Sequence, residues 1–99
     1  MNKNYAAGRR TEYECQRRWE AQGYSTTRAS GSHSAFDVIA YRTDRPSEMI
    51  QCKRVSAKAT AQLLLHRFKQ EPPLAPSHFF HQVLEVRVKG NKKVLSVTI

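Results

Sequence analysis

The sequence is poor in cysteine, in acidic residues and in long apolar runs, and each shortage excludes a class of protein. Two cysteines, Cys15 and Cys52, cannot form a disulfide framework and lack the Cys-x-x-Cys spacing of many zinc sites, so we expect both to be small core residues. No apolar run approaches the roughly 18 residues of a membrane span. The N-terminal segment lacks the apolar centre of a secretory signal. We therefore expect a cytoplasmic protein with no membrane partner.

The positive charge is the most informative feature of the composition. Seventeen Lys and Arg stand against eight Asp and Glu, which gives a net charge of +9 and a pI near 10.1. Hydrophobic residues make up 39% and charged residues 25% of the 99 positions, as in a small folded domain. We expect one domain, residues 1–99, with affinity for a polyanion such as nucleic acid. Ribosomal and chromatin proteins share this composition, so charge alone leaves the function open.

Hydrophobic periodicity and helix breakers predict an α/β fold with seven elements in the order α-β-β-β-α-β-β. The elements are helix 9–22, strands 24–30, 35–41 and 48–54, helix 58–70, and strands 78–88 and 93–99. Gly90-Asn91 is the predicted tight turn between the last two strands. We expect a mixed central sheet flanked by the helices.

The second and third predicted strands bring three polar residues together. Alternate strand residues share a face, so Asp37 lies beside apolar neighbours, and Gln51 and Lys53 point the same way on the next strand. A buried, unpaired carboxylate is costly, so Asp37 is either solvated at a strand end or held for a function. Taken singly, Asp37 and Lys53 each have an ordinary explanation as solvated charges. Their convergence with Gln51 favours a functional site.

The first helix adds a second carboxylate. Glu12, Cys15 and Trp19 lie at i, i+3 and i+7, on one helical face. Because Cys15 and Trp19 are the apolar residues best suited to pack on the sheet, we expect Glu12 to face the sheet as well. Its alternative role is a helix N-terminal acid favoured by the macrodipole. Two carboxylates beside a lysine suit a metal-dependent phosphodiesterase, because oxygen ligands hold Mg²⁺ and an ammonium neutralises phosphate charge.

Five short segments together resemble a known nuclease family. They are Gly8 to Glu12, Gly23-Tyr24, Arg28 to Ser32, Phe36 to Ala40, and Gln51 to Lys53. In order and spacing these segments resemble the archaeal-type Holliday junction resolvases, which belong to the restriction-endonuclease-like nucleases with a PD-(D/E)xK site. The resemblance covers roughly residues 8–70, and the last two strands match only in type.

The resemblance implies a fold, a reaction and roles for particular residues. The fold is restriction-endonuclease-like, and the reaction is structure-selective, Mg²⁺- or Mn²⁺-dependent cleavage of four-way or other branched DNA by paired symmetric nicks, which leaves a 5′-phosphate and a 3′-hydroxyl. Asp37 is the implied main metal ligand, assisted by Gln51, the Cys52 backbone carbonyl and Glu12. Lys53 is the implied catalytic lysine that helps to position the hydrolytic water. Ser30 or Ser32 falls where the family has a loop serine near the scissile phosphate.

Gln51 departs from the family pattern, which has Glu two residues before the lysine. A glutamine carbonyl can bind Mg²⁺ but brings no charge. Three interpretations stay open: an active Gln-x-Lys site, as in some branches of the superfamily, an altered metal preference, or an inactivated site. Two rival functions follow. One is a related endonuclease that acts on linear or nicked DNA, and the other is a non-catalytic protein that binds DNA structures.

Several basic residues are candidates for contacts with DNA phosphates. They are Arg9, Arg10, Arg28, His33, Arg54 and Lys58. Phosphate contacts supply affinity with little sequence information, which suits an enzyme that recognises the shape of a junction. A solvated surface is the alternative for each, and His33 is equally well explained as a turn residue.

The resemblance also implies a homodimer, because a junction is resolved by two cuts on opposing strands. The apolar residues that could supply the interface lie in the last two predicted strands. They are Phe79, Phe80, Val83, Leu84, Val94, Leu95, Val97 and Ile99. Ordinary core packing is the alternative for these residues.

Overall fold

The computed structural model describes residues 3–29, 36–70 and 80–99, and it confirms the predicted order of elements. The elements are α1 (Lys3–Glu20), β1 (Ser25–Arg28), β2 (Val38–Arg42), β3 (Arg45–Val55), α2 (Lys58–Gln70), β4 (Phe80–Val88) and β5 (Val94–Thr98). Neither described helix is long and apolar enough to cross a membrane.

The five strands form one mixed sheet in the order β1-β2-β3-β4-β5. Among the strands of the described residues, β3 and β4 alone are parallel, from Ser47 opposite Phe80 to Val55 opposite Val88, and α2 lies in the connection between them. The other neighbouring strands are antiparallel. Because parallel neighbours place their carboxyl ends at the same edge, the ends of β3 and β4 lie side by side.

The two helices cover opposite faces of the sheet, and each face has its own apolar cluster. The α1 cluster contains Cys15, Tyr24, Val38, Ala40, Ile50 and Val83, with Trp19 and Cys52 packed against it. The α2 cluster contains Ala61, Leu84, Val86 and Val88, with Val55, Leu64, Leu65, Phe68, Leu95 and Val97 against it. Four residues that we offered as dimer contacts, Val83, Leu84, Leu95 and Val97, therefore pack within the protomer, which is the alternative stated for them.

Several predicted boundaries are wrong. Helix α1 runs from Lys3 to Glu20 rather than over residues 9–22, and Gly8 lies inside it without ending it. Strand β1 is shorter than residues 24–30, and β2 begins at Val38 rather than at residue 35. Strand β3 begins at Arg45 and includes Pro46. The register of β2 and β3 shifts between Ala40 and Arg42, and such an irregularity tolerates a residue without an N–H.

Candidate functional site

Asp37 lies where β2 separates from β3. Its backbone N–H donates to the Ile50 carbonyl at 2.9 Å, where the pairing between β2 and β3 ends. The next donor along β3, the Cys52 N–H, reaches the Asp37 carboxylate instead, at 2.8 Å from Oδ2. The carboxylate thus occupies the place of a strand carbonyl. This contact explains how an acid is accommodated, half-buried, beside two central strands.

Asp37, which directly precedes β2, lies on the same face of the sheet as Gln51 and Lys53 of β3. Val38 is opposite Ile50, so Asp37 falls across from Gln51. Gln51 and Lys53 line a cavity of about 160 Å³ with Leu64, Arg67, Phe68 and Leu84, on the α2 side of the sheet. Lys53 is exposed and Gln51 half-buried. Sequence analysis missed Arg67, because the amphipathic pattern of α2 does not show which polar residue borders the strands.

Glu12 and Arg28 are bound to each other on the α1 face. Glu12 Oε1 accepts from Arg28 Nε at 3.0 Å, and Arg28 Nη1 donates to the Tyr13 hydroxyl at 3.1 Å. The guanidinium carbon also lies 4.6 Å from the Tyr13 ring centroid. The hydrogen bond from Glu12 raises the pKa of Arg28 above its ordinary value. Glu12, predicted as a metal ligand, and Arg28, predicted as a phosphate contact, thus form one ion pair that links α1 to β1.

A positively charged cleft of about 400 Å³ lies at the carboxyl ends of β3 and β4. It is lined by Gly8, Cys52, Lys53, Arg54, Val55, Ser56 and Lys89. Lys89 directly follows β4. The parallel pairing brings it to this cleft, since the Lys89 N–H donates to the Val55 carbonyl at 2.9 Å. The parallel β3-α2-β4 connection was the available signal, because it places residues that follow both strands at one edge.

The other predicted DNA contacts divide into two groups. Arg9 and Arg10 are exposed on α1, directly after Gly8 of the cleft, and Arg54 and Lys58 are exposed near the end of β3 and the start of α2. Ser30, Ser32 and His33, the loop residues of the prediction, lie outside the described residues.

A second group of potential ligands lies under α1. Among residues 8–29, 36–70 and 80–99, the one set of three Cys, His, Asp or Glu side chains whose ligand atoms lie within 4.8 Å of one another is Cys15, Cys52 and Glu85. Glu85 is buried, and its oxygens accept from Arg18 Nη2 and Trp19 Nε1, both at 2.7 Å. A hydrogen bond with Cys52, burial and the charge of Glu85 raise the pKa of the Cys15 thiol. Sequence analysis missed Glu85, whose signal was a carboxylate inside an apolar strand.

The donors around Asp37 match a hard divalent cation better than a soft one. They are the Asp37 carboxylate, the Gln51 amide and the Cys52 carbonyl, which faces the same neighbouring strand as the Cys52 N–H. Mg²⁺ is commonly bound by one or two carboxylates together with substrate phosphates. One carboxylate and two neutral oxygens therefore fit Mg²⁺ or Mn²⁺ when DNA completes the shell. The two thiols and Glu85 are instead a donor set for softer metals.

Comparisons with known proteins agree with this architecture. No family model matches the sequence, and no curated protein is similar to it. Among solved structures, the chain is similar to the 1.6 Å structure of Archaeoglobus fulgidus Hjc, a Holliday junction resolvase from an archaeal hyperthermophile. The TM-score is 0.52 and the identity 14%, over 86% of this chain and 73% of that chain. The described residues therefore have an α/β, restriction-endonuclease-like fold, with a mixed five-stranded sheet and two helices.

Proposed function

We propose that this protein is a divalent-metal-dependent endodeoxyribonuclease that resolves Holliday junctions. The observation that carries the proposal is the position of Asp37: its carboxylate is fixed by the Cys52 N–H at the point where two strands separate. Gln51 lies across from it and Lys53 follows two residues later. The similarity of the fold to a Holliday junction resolvase supports this choice among hydrolytic activities.

In this proposal Asp37, Gln51 and the Cys52 carbonyl hold the cation, and Glu12 is a further candidate ligand. A bound divalent cation lowers the pKa of water and stabilises charge on the scissile phosphate. The Cys52 N–H holds the Asp37 carboxylate through Oδ2, and the cation would bind through the other oxygen. Lys53, exposed beside Gln51, donates to the attacking water or to a phosphate oxygen. Ser30 or Ser32 would contact the same phosphate.

The charged cleft supplies the proposed path for the DNA backbone. Lys53, Arg54 and Lys89 border it, with exposed Arg9 and Arg10 on the adjoining helix. Each cation that contacts a phosphate releases counterions, which gives affinity without reading bases. Lys58 and His33 remain proposed contacts. Arg28 is a weaker candidate, because Glu12 and Tyr13 already bind its guanidinium.

A homodimer completes the proposed function, because two symmetric cuts need two centres. Four apolar residues of β4 and β5 already pack within the protomer, so the dimer interface must be formed by other exposed apolar residues. The four are Val83, Leu84, Leu95 and Val97. Leu63 and Ile99 are 52% and 39% exposed and are the apolar residues we would substitute first. Sedimentation of Leu63→Asp and Ile99→Asp at micromolar concentration should yield monomers if these residues form the contact.

A non-catalytic junction-binding protein is the second candidate, and two observations favour it. Gln51 contributes no charge at the position where the family has a carboxylate, and Glu12 is neutralised by Arg28 at 3.0 Å. This leaves Asp37 as the one unpaired carboxylate among the described residues that we assign to the site. In this alternative the protein binds junctions through the charged cleft, and its affinity does not depend on Mg²⁺.

The test compares a labelled immobile four-way junction with a linear duplex of the same arms, in Mg²⁺, Mn²⁺ or EDTA. The protein should nick the junction at symmetric positions and leave the duplex intact. Asp37→Asn keeps an acceptor for the Cys52 N–H and removes the charge, so cleavage should fall at least ~100-fold, as expected when several kcal/mol of charge stabilisation are lost. Asp44→Asn is the matched control, because Asp44 is an exposed acid in the β2–β3 turn.

Each outcome separates the candidates. Cleavage of the duplex at a similar rate would indicate a related endonuclease of broader specificity. Tight, metal-independent binding without cleavage, unaffected by Asp37→Asn, would support the junction-binding protein and refute the nuclease proposal for this chain. Cleavage gained by Gln51→Glu would then show that one missing charge is the reason.

A further inference from the structure

The only two cysteines of the chain come together although they are far apart in sequence. Cys15 belongs to α1 and Cys52 to β3, and their sulfur atoms lie within 4.8 Å of each other. Formation of an S–S bond of about 2 Å requires a further approach by side-chain rotation, with Cα atoms about 5.5 Å apart in the usual case. The two sulfurs face each other across the contact between helix and strand, where such a bond would form.

The two thiols differ in access. Cys15 is fully buried, at 0% exposure, whereas Cys52 is half-buried and lines the cleft that carries Lys53, Arg54 and Lys89. Reactive cysteines typically have partly exposed, electropositive surroundings. Small anionic thiols and disulfides should therefore be attracted to Cys52, and Cys15 lies directly behind it.

We propose that Cys52 and Cys15 form a reversible disulfide by exchange with a low-molecular-weight disulfide such as oxidised glutathione. The Cys52 sulfur attacks one glutathione sulfur, which forms a mixed disulfide and releases one glutathione thiol that carries the Cys52 proton. The Cys15 sulfur then attacks the Cys52 sulfur, breaks the mixed disulfide and releases the second glutathione thiol with the Cys15 proton. The two cysteines are oxidised by two electrons, and one molecule of oxidised glutathione is reduced to two thiols.

The proposed advantage is that Cys15 keeps the cleft open. A mixed disulfide on Cys52 would leave a bulky anionic group beside the cleft that Cys52 lines at the ends of β3 and β4. Displacement by Cys15 removes this group and leaves a bond between two side chains that both pack under α1. A metal site built from these thiols is the competing use. It is disfavoured because both Glu85 oxygens already accept hydrogen bonds, from Arg18 Nη2 and from Trp19 Nε1.

The test incubates the full chain in glutathione buffers of increasing oxidised fraction, followed by acid quenching, alkylation of free thiols and mass spectrometry. The wild type should lose two hydrogens and both alkylatable thiols, and dithiothreitol should restore them. A cross-link that closes a loop of nearly forty residues should also raise Tm, by roughly 15–30 °C in a domain of this size. Two free thiols at every oxidised fraction would overturn the proposal.

Single variants test the order of the two steps. Cys15→Ala should accumulate one glutathionyl group on Cys52, because the second thiol is missing. Cys52→Ala should accumulate almost none on the buried Cys15. Circular dichroism establishes that each variant is folded, and the wild-type experiment stands without them. Equal glutathionylation of the two variants would overturn the assigned order. These readouts measure thiols and melting, so they do not depend on whether the protein cleaves DNA.

Discussion

Glu85 is a buried carboxylate in a central strand, and its replacement tests whether it holds α1 on the sheet. Its side chain is 9% exposed, and it accepts from Arg18 Nη2 and Trp19 Nε1, both at 2.7 Å. Glu85→Gln keeps the shape but leaves one acceptor oxygen for two donors and removes the charge opposite Arg18. A hydrogen bond to a charged group contributes about 1.5–3 kcal/mol, and Arg18 is partly solvated at 35% exposure. We therefore expect a loss of about 2 kcal/mol in the free energy of unfolding.

The assay is equilibrium urea unfolding with a parallel thermal melt. A loss of about 2 kcal/mol should lower Tm by roughly 8–16 °C in a domain of about 100 residues. The urea midpoint should fall while the m-value stays constant. Asp44→Asn is the matched control, because Asp44 is 54% exposed and pairs with Arg42 at 3.1 Å. Exposed ion pairs contribute about 0–1 kcal/mol, so this control should change little.

The dependence of stability on salt concentration distinguishes the two variants further. Salt screens exposed charges strongly and buried pairs much less, so the deficit of Glu85→Gln should persist in high salt while that of Asp44→Asn disappears. If Glu85→Gln unfolds within error of Asp44→Asn, then the contacts of Glu85 do not hold α1 on the sheet and the reasoning is refuted.

Three further predictions test the helix, the cleft and the ion pair. Gly8→Ala should raise the free energy of unfolding by about 0.5–1 kcal/mol, because Gly8 lies inside α1 and a Cβ there meets nothing within 4 Å. Gly23→Ala should lower it by about 1–2 kcal/mol, because Gly23 has φ +95°; urea unfolding measures both, and equal effects would contradict the conformational argument. Lys89→Ala should reduce the slope of log Kd for junction DNA against log salt by about 1, with Lys92→Ala as the control outside the cleft, since each phosphate contact contributes about 0.9; identical slopes for the two variants would remove Lys89 from the interface. Glu12→Gln should cost only about 0.5–1 kcal/mol in a thermal melt, because it removes a partly exposed ion pair, and a loss above about 3 kcal/mol would show a deeper structural role than that of an exposed pair.

The order of elements and the face shared by Gln51 and Lys53 could be predicted because both depend on local regularities. Strand alternation fixes the side of the sheet on which a residue lies, and turn residues and helix breakers fix where most elements end. The resemblance to the resolvases depended on the same segments. Several boundaries differed from the prediction, since neighbouring strands decide where a ladder stops, as they do at Asp37.

The partners of the charged residues could not be predicted, because they depend on how α1 is rotated and on which strands are neighbours. Glu12 faces the sheet as expected, yet the nearest cation is Arg28 of β1. Lys89 reaches the cleft only because β4 is parallel to β3. Nothing near Cys15 in sequence indicates that Cys52 and Glu85 lie beside it.

The contacts between α1 and β4 have a consequence for how the chain folds. Arg18 and Glu85 are 67 positions apart in sequence, and Glu14 and Arg87, joined at 2.8 Å, are 73 apart. Contacts between distant positions slow folding, because a long loop must close before they contribute. We therefore expect these two contacts to form only after β4 has been synthesised. On the ribosome, α1 should first pack on the antiparallel strands through its own apolar cluster, and its attachment to β4 should follow.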